Sequence, residues 1–252
     1  MAVARRTVPL AVDALDQLPA SCRGCVRWEL DPLAGARARR SGDAAQRKQQ
    51  WWREALTEGH GGGVLARLEG QTVGYATWSL PGHAGGGAAT PTAPVSADAV
   101  LLMALRVDPE HRGAGLGRWL VQAVVRQSLR GPAGSNGVRA VEVFGDRLAG
   151  AGDGRPSSCL LPVGFWLACG FEVVRDHPTT PRLRLDARRL VTWADDVRAD
   201  VEEAWVRLRG AVRPDPAPAP VRRTQAMNSP RSLRSAALGL APTIDFTTSP
   251  PE

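Results

Sequence analysis

The chain has 252 residues, 43% of them hydrophobic, and a net charge of +7. That length allows one sizeable α/β domain with extensions, or two small domains. No stretch approaches the roughly 18 apolar residues that span a bilayer. The opening MAVARRTVPLAVDALDQL has no long apolar run before a small-residue cleavage site, so neither a membrane anchor nor a signal peptide is expected, and the expected location is cytoplasmic.

A basic balance favours polyanionic partners. Much of the excess sits after Val206, at Arg207, Arg209, Arg213, Arg222, Arg223, Arg231 and Arg234. Such a run reads as solvated charge, and specific nucleic-acid binding is not expected from it. Cys22-x-x-Cys25 has half the spacing of a zinc site. Cys159 and Cys169 add no second pair, so the reading is four reduced thiols and no metal.

Arg6 to Val12 is expected to form a first strand. Residues 13–58 read as helical with a break, and the better helix runs from Asp43 to Glu58. Asp43 would cap it, Trp51, Trp52, Ala55 and Leu56 form its apolar side, and Gly61-Gly62-Gly63 would end it. Gly63 to Leu80 reads as a β-hairpin turning at Glu69-Gly70-Gln71. Residues 81–98 are a Gly/Ala/Pro-rich loop of a length that is usually functional or disordered.

Val100 to Val107, VLLMALRV, is a near-continuous apolar run and predicts a doubly buried central strand. After Asp108-Pro109-Glu110-His111 comes Arg112-Gly-Ala-Gly-Leu-Gly-Arg118, and then a helix marked by Leu116, Leu120, Val121, Val124, Val125 and Leu129. Val138 to Phe144 is a second buried strand, which completes a βαβ unit. Leu160 to Ala168 predicts a helix stopped by Gly170. Phe171–Val174 and Leu183–Leu185 read as closing strands. The domain division expected is 6–190, an amphipathic helix over 191–213, and a Pro/Arg-rich disordered tail over 214–252.

A buried strand, a glycine-rich turn and a helix start make an anion site. Successive N–H groups converge there, and the helix N-terminus adds partial positive charge. The turn lacks the Gly-Lys-Ser/Thr of a P-loop. It also misses the dinucleotide pattern, because Arg118 stands where the last glycine should be. It does satisfy Arg/Gln-x-x-Gly-x-Gly/Ala through Arg112, Gly115 and Gly117.

On Leu105-Arg-Val-Asp-Pro-Glu-His-Arg-Gly-Ala-Gly-Leu-Gly-Arg118 and Gly164-Phe-Trp-Leu-Ala-Cys-Gly-Phe171, the chain resembles the GNAT superfamily of N-acetyltransferases. The Cys-x-x-Cys-Val-x-Trp-Glu-Leu and Pro-Thr-Ala-Pro-Val-Ser segments resemble those of actinobacterial members. The resemblance covers roughly residues 6–186. It implies a mixed, mostly antiparallel α/β sheet with splayed central strands and helices on both faces. It implies acetyl-CoA as acetyl donor, with the pyrophosphate on the amides of Arg112, Gly113, Ala114, Gly115, Leu116, Gly117 and Arg118. Backbone groups near Leu105 and Val107 would meet the pantetheine amides and polarise the acetyl carbonyl. Many members carry a tyrosine where Trp166 stands, to protonate the leaving thiolate. An indole N–H has no usable acidity for that. The only tyrosine, Tyr75, lies on the hairpin.

An amine acceptor with a pKa near about 10 must lose a proton before it attacks. Glu142, flanked by Val141 and Val143, is the candidate catalytic base ahead of Glu110 and His111. It is expected opposite Val107, or else paired to an arginine such as Arg139 or Arg106. The acceptor is a primary amine of unidentified kind, and a homodimer stays open. The competing readings are a non-catalytic acyl-CoA-binding regulatory module and an Arg-rich nucleic-acid-associated protein.

Overall fold

The structure, a computed structural model, describes residues 5–130, 137–149 and 159–186. The helix and tail expected beyond residue 190 lie outside them. Seven strands form one sheet in the order β1-β2-β3-β4-β5-β7-β6. They are β1 (Arg5–Pro9), β2 (Gly61–Leu68), β3 (Gln71–Ser79), β4 (Ala99–Val107), β5 (Ala140–Phe144), β6 (Glu172–Arg175) and β7 (Arg182–Asp186). Every pairing is antiparallel except β4 with β5. This is the mixed, mostly antiparallel sheet that the resemblance implies.

The helices described are α1 (Ala20–Arg23), α2 (Pro32–Ser41), α3 (Ala44–Glu58), α4 (Gly85–Ala88), α5 (Leu116–Arg130) and α6 (Val163–Ala168). On one face of the sheet α5 packs Leu116, Leu120, Val121 and Val124 onto Val100, Leu102, Val141 and Val143, joined by Trp166 of α6. On the other face α3 contributes Trp52 and Ala55 to a core with Leu65, Tyr75, Leu101, Met103 and Phe144. The central strands β2 to β5 therefore bury both of their faces over most of their length, which is why β4 carries an unbroken apolar run.

Several local expectations are corrected. The first strand stops at Pro9, and Val12–Gln17 is a 3-10 turn. The segment before α3 holds α2, with Asp31 as its cap: its carboxylate accepts from the amides of Leu33 at 2.9 Å and Ala34 at 3.0 Å. Asp43 does not cap α3 through its side chain; it is drawn to Ser41 and Arg47 instead. Gly59, with φ of 74°, ends α3. The Gly61–Gly63 run begins β2, because a Cβ on Gly62 would sit 2.6 Å from the Trp78 ring. The hairpin turns on Glu69 and Gly70, both with positive φ, as a two-residue connection requires.

Helix α6 starts only at Val163, after Pro162. It ends in two linked bonds, Phe171 N to Trp166 O at 3.0 Å and Gly170 N to Leu167 O at 2.8 Å. This is the glycine stop expected at Gly170. Loop 81–98 is packed along its length: Gly86 N donates to Trp28 O at 3.1 Å, Thr92 Oγ1 to Thr180 O at 3.0 Å, and Ser96 N to Glu142 Oε2 at 3.1 Å.

Candidate active site

The turn between β4 and α5 is built by its small residues. Gly113 and Gly115 take φ of 79° and 75°, a left-handed region that other residues enter only at a cost. Ala114 and Leu116 point inward and are fully buried, so they pin the turn to the core. The first helical bond runs from Trp119 N to Gly115 O at 3.1 Å. The amides of Leu116 and Gly117 precede it, in the stretch where a helix has no acceptors of its own. A Cβ on Gly117 would lie 3.0 Å from the Phe165 ring, so α6 rests directly on the turn. Arg112 Nε donates to Val107 O at 3.1 Å and folds its guanidinium back along the turn.

β4 and β5 pair only at Ala99–Ala140, Val100–Val141 and Leu101–Glu142. Beyond Leu101 the strands part. The parting coincides with a bulge: Thr77 opposes Ala104 while Trp78 opposes Leu102, which leaves Met103 as the extra residue. Leu102, Leu105 and Val107 then belong to the α5 side, and Met103 and Ala104 to the α3 side. From Leu102 to Val107, one edge of β4 has no strand partner among the described residues. This edge leads straight into the glycine-rich turn.

Glu142 is not opposite Val107. It is in register with Leu101, six residues and about 20 Å from Val107 along the strand. It is wholly buried. Its Oε1 lies 3.3 Å from Arg184 and its Oε2 3.4 Å from Arg182. Its partners are thus on β7, the neighbour of β5, and not Arg139 or Arg106. Arg184 also forks onto Asp98, at 2.9 Å to each oxygen. That guanidinium holds the Asp98 carboxyl below its usual range.

Tyr75 is buried in the α3-side core. Desolvation, with Cys22 nearby, pushes its phenol well above the ordinary value, which makes it a poor proton donor. Trp166 is buried with no hydrogen-bond partner for its indole nitrogen. Glu110 is exposed and His111 half-buried, both on the 3-10 turn Pro109–His111 leading into the glycines.

One grouping was not legible in the sequence. Cys25 Sγ and Cys159 Sγ lie 3.4 Å apart, and Cys22 Sγ lies 3.7 Å from an Arg106 nitrogen. Cys25 and Cys159 are 134 positions apart, and no spacing rule links such residues. Among the described residues, no group of three or more His, Cys, Asp or Glu is arranged to hold a metal ion, and no helix is long and apolar enough to cross a membrane.

The model of the Acetyltransferase (GNAT) family matches residues 24–148. No curated protein matches the sequence. Among solved structures, PaiA N-acetyltransferase from Thermoplasma acidophilum, in complex with coenzyme A, is similar at 12% identity and a TM-score of 0.47, over 73% of this chain and 99% of that one. YncA from Salmonella typhimurium, a putative acetyltransferase with acetyl-CoA, gives 14% and 0.46 over 74% and 94%. Aminoglycoside acetyltransferase AAC(6')-Ib, in complex with coenzyme A, gives 15% and 0.47 over 75% and 98%. The matched segment runs from Gly24 through α2, α3, the hairpin, β4, the glycine-rich turn, α5 and β5, and over that segment the chain is similar to the GNAT acetyltransferase family.

Proposed function

We propose that this protein transfers an acetyl group from acetyl-CoA to a primary amine by direct attack in a ternary complex. The observation that carries the reading is the continuity of two features: a β4 edge left unpaired beyond Leu101, and a glycine-rich turn with its helix start at the end of that edge. The turn suits a pyrophosphate, because left-handed Gly113 and Gly115 expose their amides without a Cβ in the way. Arg112 and Arg118 flank it with positive charge. The unpaired β4 edge between Leu105 and Val107 suits the amides of a linear pantetheine arm. A backbone N–H there would stabilise the negative charge that develops on the acetyl oxygen when the amine attacks. The C–N bond forms, the C–S bond breaks, and the amine gives up one proton. The cytoplasm is the location proposed, and no resident metal is required by this chemistry.

Gly115→Asp tests the reading. It puts a carboxylate where the phosphates would lie and a side chain at a left-handed position. The expected result is that CoA affinity, measured by calorimetry, falls by tenfold or more while the far-ultraviolet circular dichroism persists. Unchanged affinity would remove the turn from the site. A panel of amines with acetyl-CoA then separates an enzyme from the second reading, an acyl-CoA-binding module without turnover. Trp166 at the tyrosine position is the observation that favours that second reading, because it supplies no acid for the departing thiolate.

A further inference from the structure

Helix α1 and the turn after it touch both β4 and the connection from β5 to α6. Cys22 contacts Arg106 of β4, and Cys25 contacts Cys159, which lies on the connection from β5 to α6. All four cysteines are free thiols, and the 3.4 Å separation of Cys25 and Cys159 is hydrogen-bond contact between their sulfurs. Both are half-buried and retain access to solvent, whereas Cys169 is enclosed. The Cys25 carbonyl accepts from Lys48 Nζ at 2.8 Å, and Lys48 is itself ion-paired with buried Glu29. A framework of this kind holds the Cys25 backbone in place under a reacting sulfur.

We propose that Cys25 and Cys159 are a redox-active dithiol that exchanges with small disulfides and closes to a bond tying the turn after α1 to the connection from β5 to α6. In the first step the Cys25 thiolate attacks one sulfur of a low-molecular-weight disulfide. A protein–small-molecule disulfide forms, and one thiolate leaves and takes up a proton. In the second step Cys159 loses its proton and attacks Cys25 Sγ, displacing the second thiolate. The two protein thiols are oxidised by two electrons, and the small disulfide is reduced to two thiols.

The arrangement supports an ordered attack. The Cys159 thiol donates to Cys25 and lowers its pKa to about 6, against the opposing effect of burial, and Lys48 adds to the lowering while Glu29 opposes it. Cys159 is pushed the other way by the same contact and by burial. Cys25 is therefore the nucleophile and Cys159 the resolving thiol. The CxxC spacing favours the rival Cys22–Cys25 pair; the geometry selects Cys159 instead.

The test uses the full chain in buffers of oxidised and reduced glutathione, followed by alkylation, proteolysis and mass spectrometry. The expected product links the Cys25 and Cys159 peptides and leaves Cys169 alkylatable only after unfolding. A Cys22–Cys25 link, or no disulfide at any ratio, overturns the proposal. Cys159→Ser should trap the glutathione adduct on Cys25. Cys159→Ala, which removes the donor that a serine would keep, should move the midpoint of the iodoacetamide rate profile of Cys25 from about 6 towards about 8.5. A profile of intact protein already centred near about 8.5 overturns the assignment of Cys25 as nucleophile. None of these readouts depends on CoA or an amine, so the proposal stands or falls apart from the transferase reading.

Discussion

Glu142 has both carboxylate oxygens engaged, by Arg184, Arg182 and the amide of Ser96, and none of its surface is exposed. As the amine's base it would first have to leave these partners. As the centre of an arginine cluster it holds β5, β7 and the end of loop 81–98 together. Glu142→Gln separates the two roles. The geometry favours the second, so the expected result is a lower melting temperature with nearly unchanged turnover per folded molecule. The stability loss should fall near the low end of the roughly 3–5 kcal/mol seen when a buried pair is broken, because Arg184 keeps Asp98 and Asp186. A drop in turnover of roughly 10²-fold that shrinks at high pH would restore it as base. His60 gives a second test at this scale. It stacks on His83 at 4.2 Å, and burial, then His83, holds its pKa below the usual 6.5. The unfolded chain therefore binds the proton more readily. The contribution of neutral His60 is complete above pH 6.5 and is lost as pH falls from there through the folded pKa. Stability should thus rise between pH 5 and pH 7, and His60→Gln should flatten that rise in melting curves.

Loop 81–98 and α6 show how single glycines set the fit between elements. A Cβ on Gly86 would lie 1.6 Å from Arg27 O, a backbone atom that cannot swing aside. Gly86→Ala should therefore lift the loop from the turn before α2 and cost about 1–3 kcal/mol by denaturant unfolding. Gly164 in α6 is exposed, with nothing within 4 Å of a built Cβ. Gly164→Ala should stabilise by about 0.5–1 kcal/mol, because the helix no longer orders a glycine. Equal effects at the two sites would show that contact with Arg27 does not position the loop. The β4 bulge acts at the same scale. Its extra residue, Met103, lies two positions after Leu101, the last residue of β4 paired with β5, and shifts Ala104 to the α3 side.

Across the whole sheet, β1 to β4 on one side and β5 to β7 on the other are joined by only those three paired positions. A ligand lying along the free edge of β4 would touch both halves. Acetyl-CoA at about 100 times its dissociation constant should stabilise the fold by about 2.7 kcal/mol. Hydrogen exchange should slow in Leu102–Val107 and in β5, and less in β1 and β2. Protection confined to the glycine-rich turn would mean that the ligand does not enter the opening.

The strand–turn–helix at residues 100–129, the place of the hairpin turn at Glu69 and Gly70 (though not that Gln71 already belongs to β3) and the glycine stop at Gly170 were legible in the sequence, since each depends on neighbours within about six positions: an apolar period, a positive φ or a helix end. The same local signals raise the expectation of an anion-binding turn at Arg112 to Arg118, which the Gly115→Asp experiment tests. Tertiary structure alone decided the rest. Glu142 faces Leu101 and two β7 arginines because parallel register and strand order are set between segments that are distant in sequence. Cys25 meets Cys159 for the same reason, and no local pattern records a contact across 134 residues. Residues that share a turn announce their geometry through the backbone, whereas residues that share only a packed interface do so once the sheet has closed.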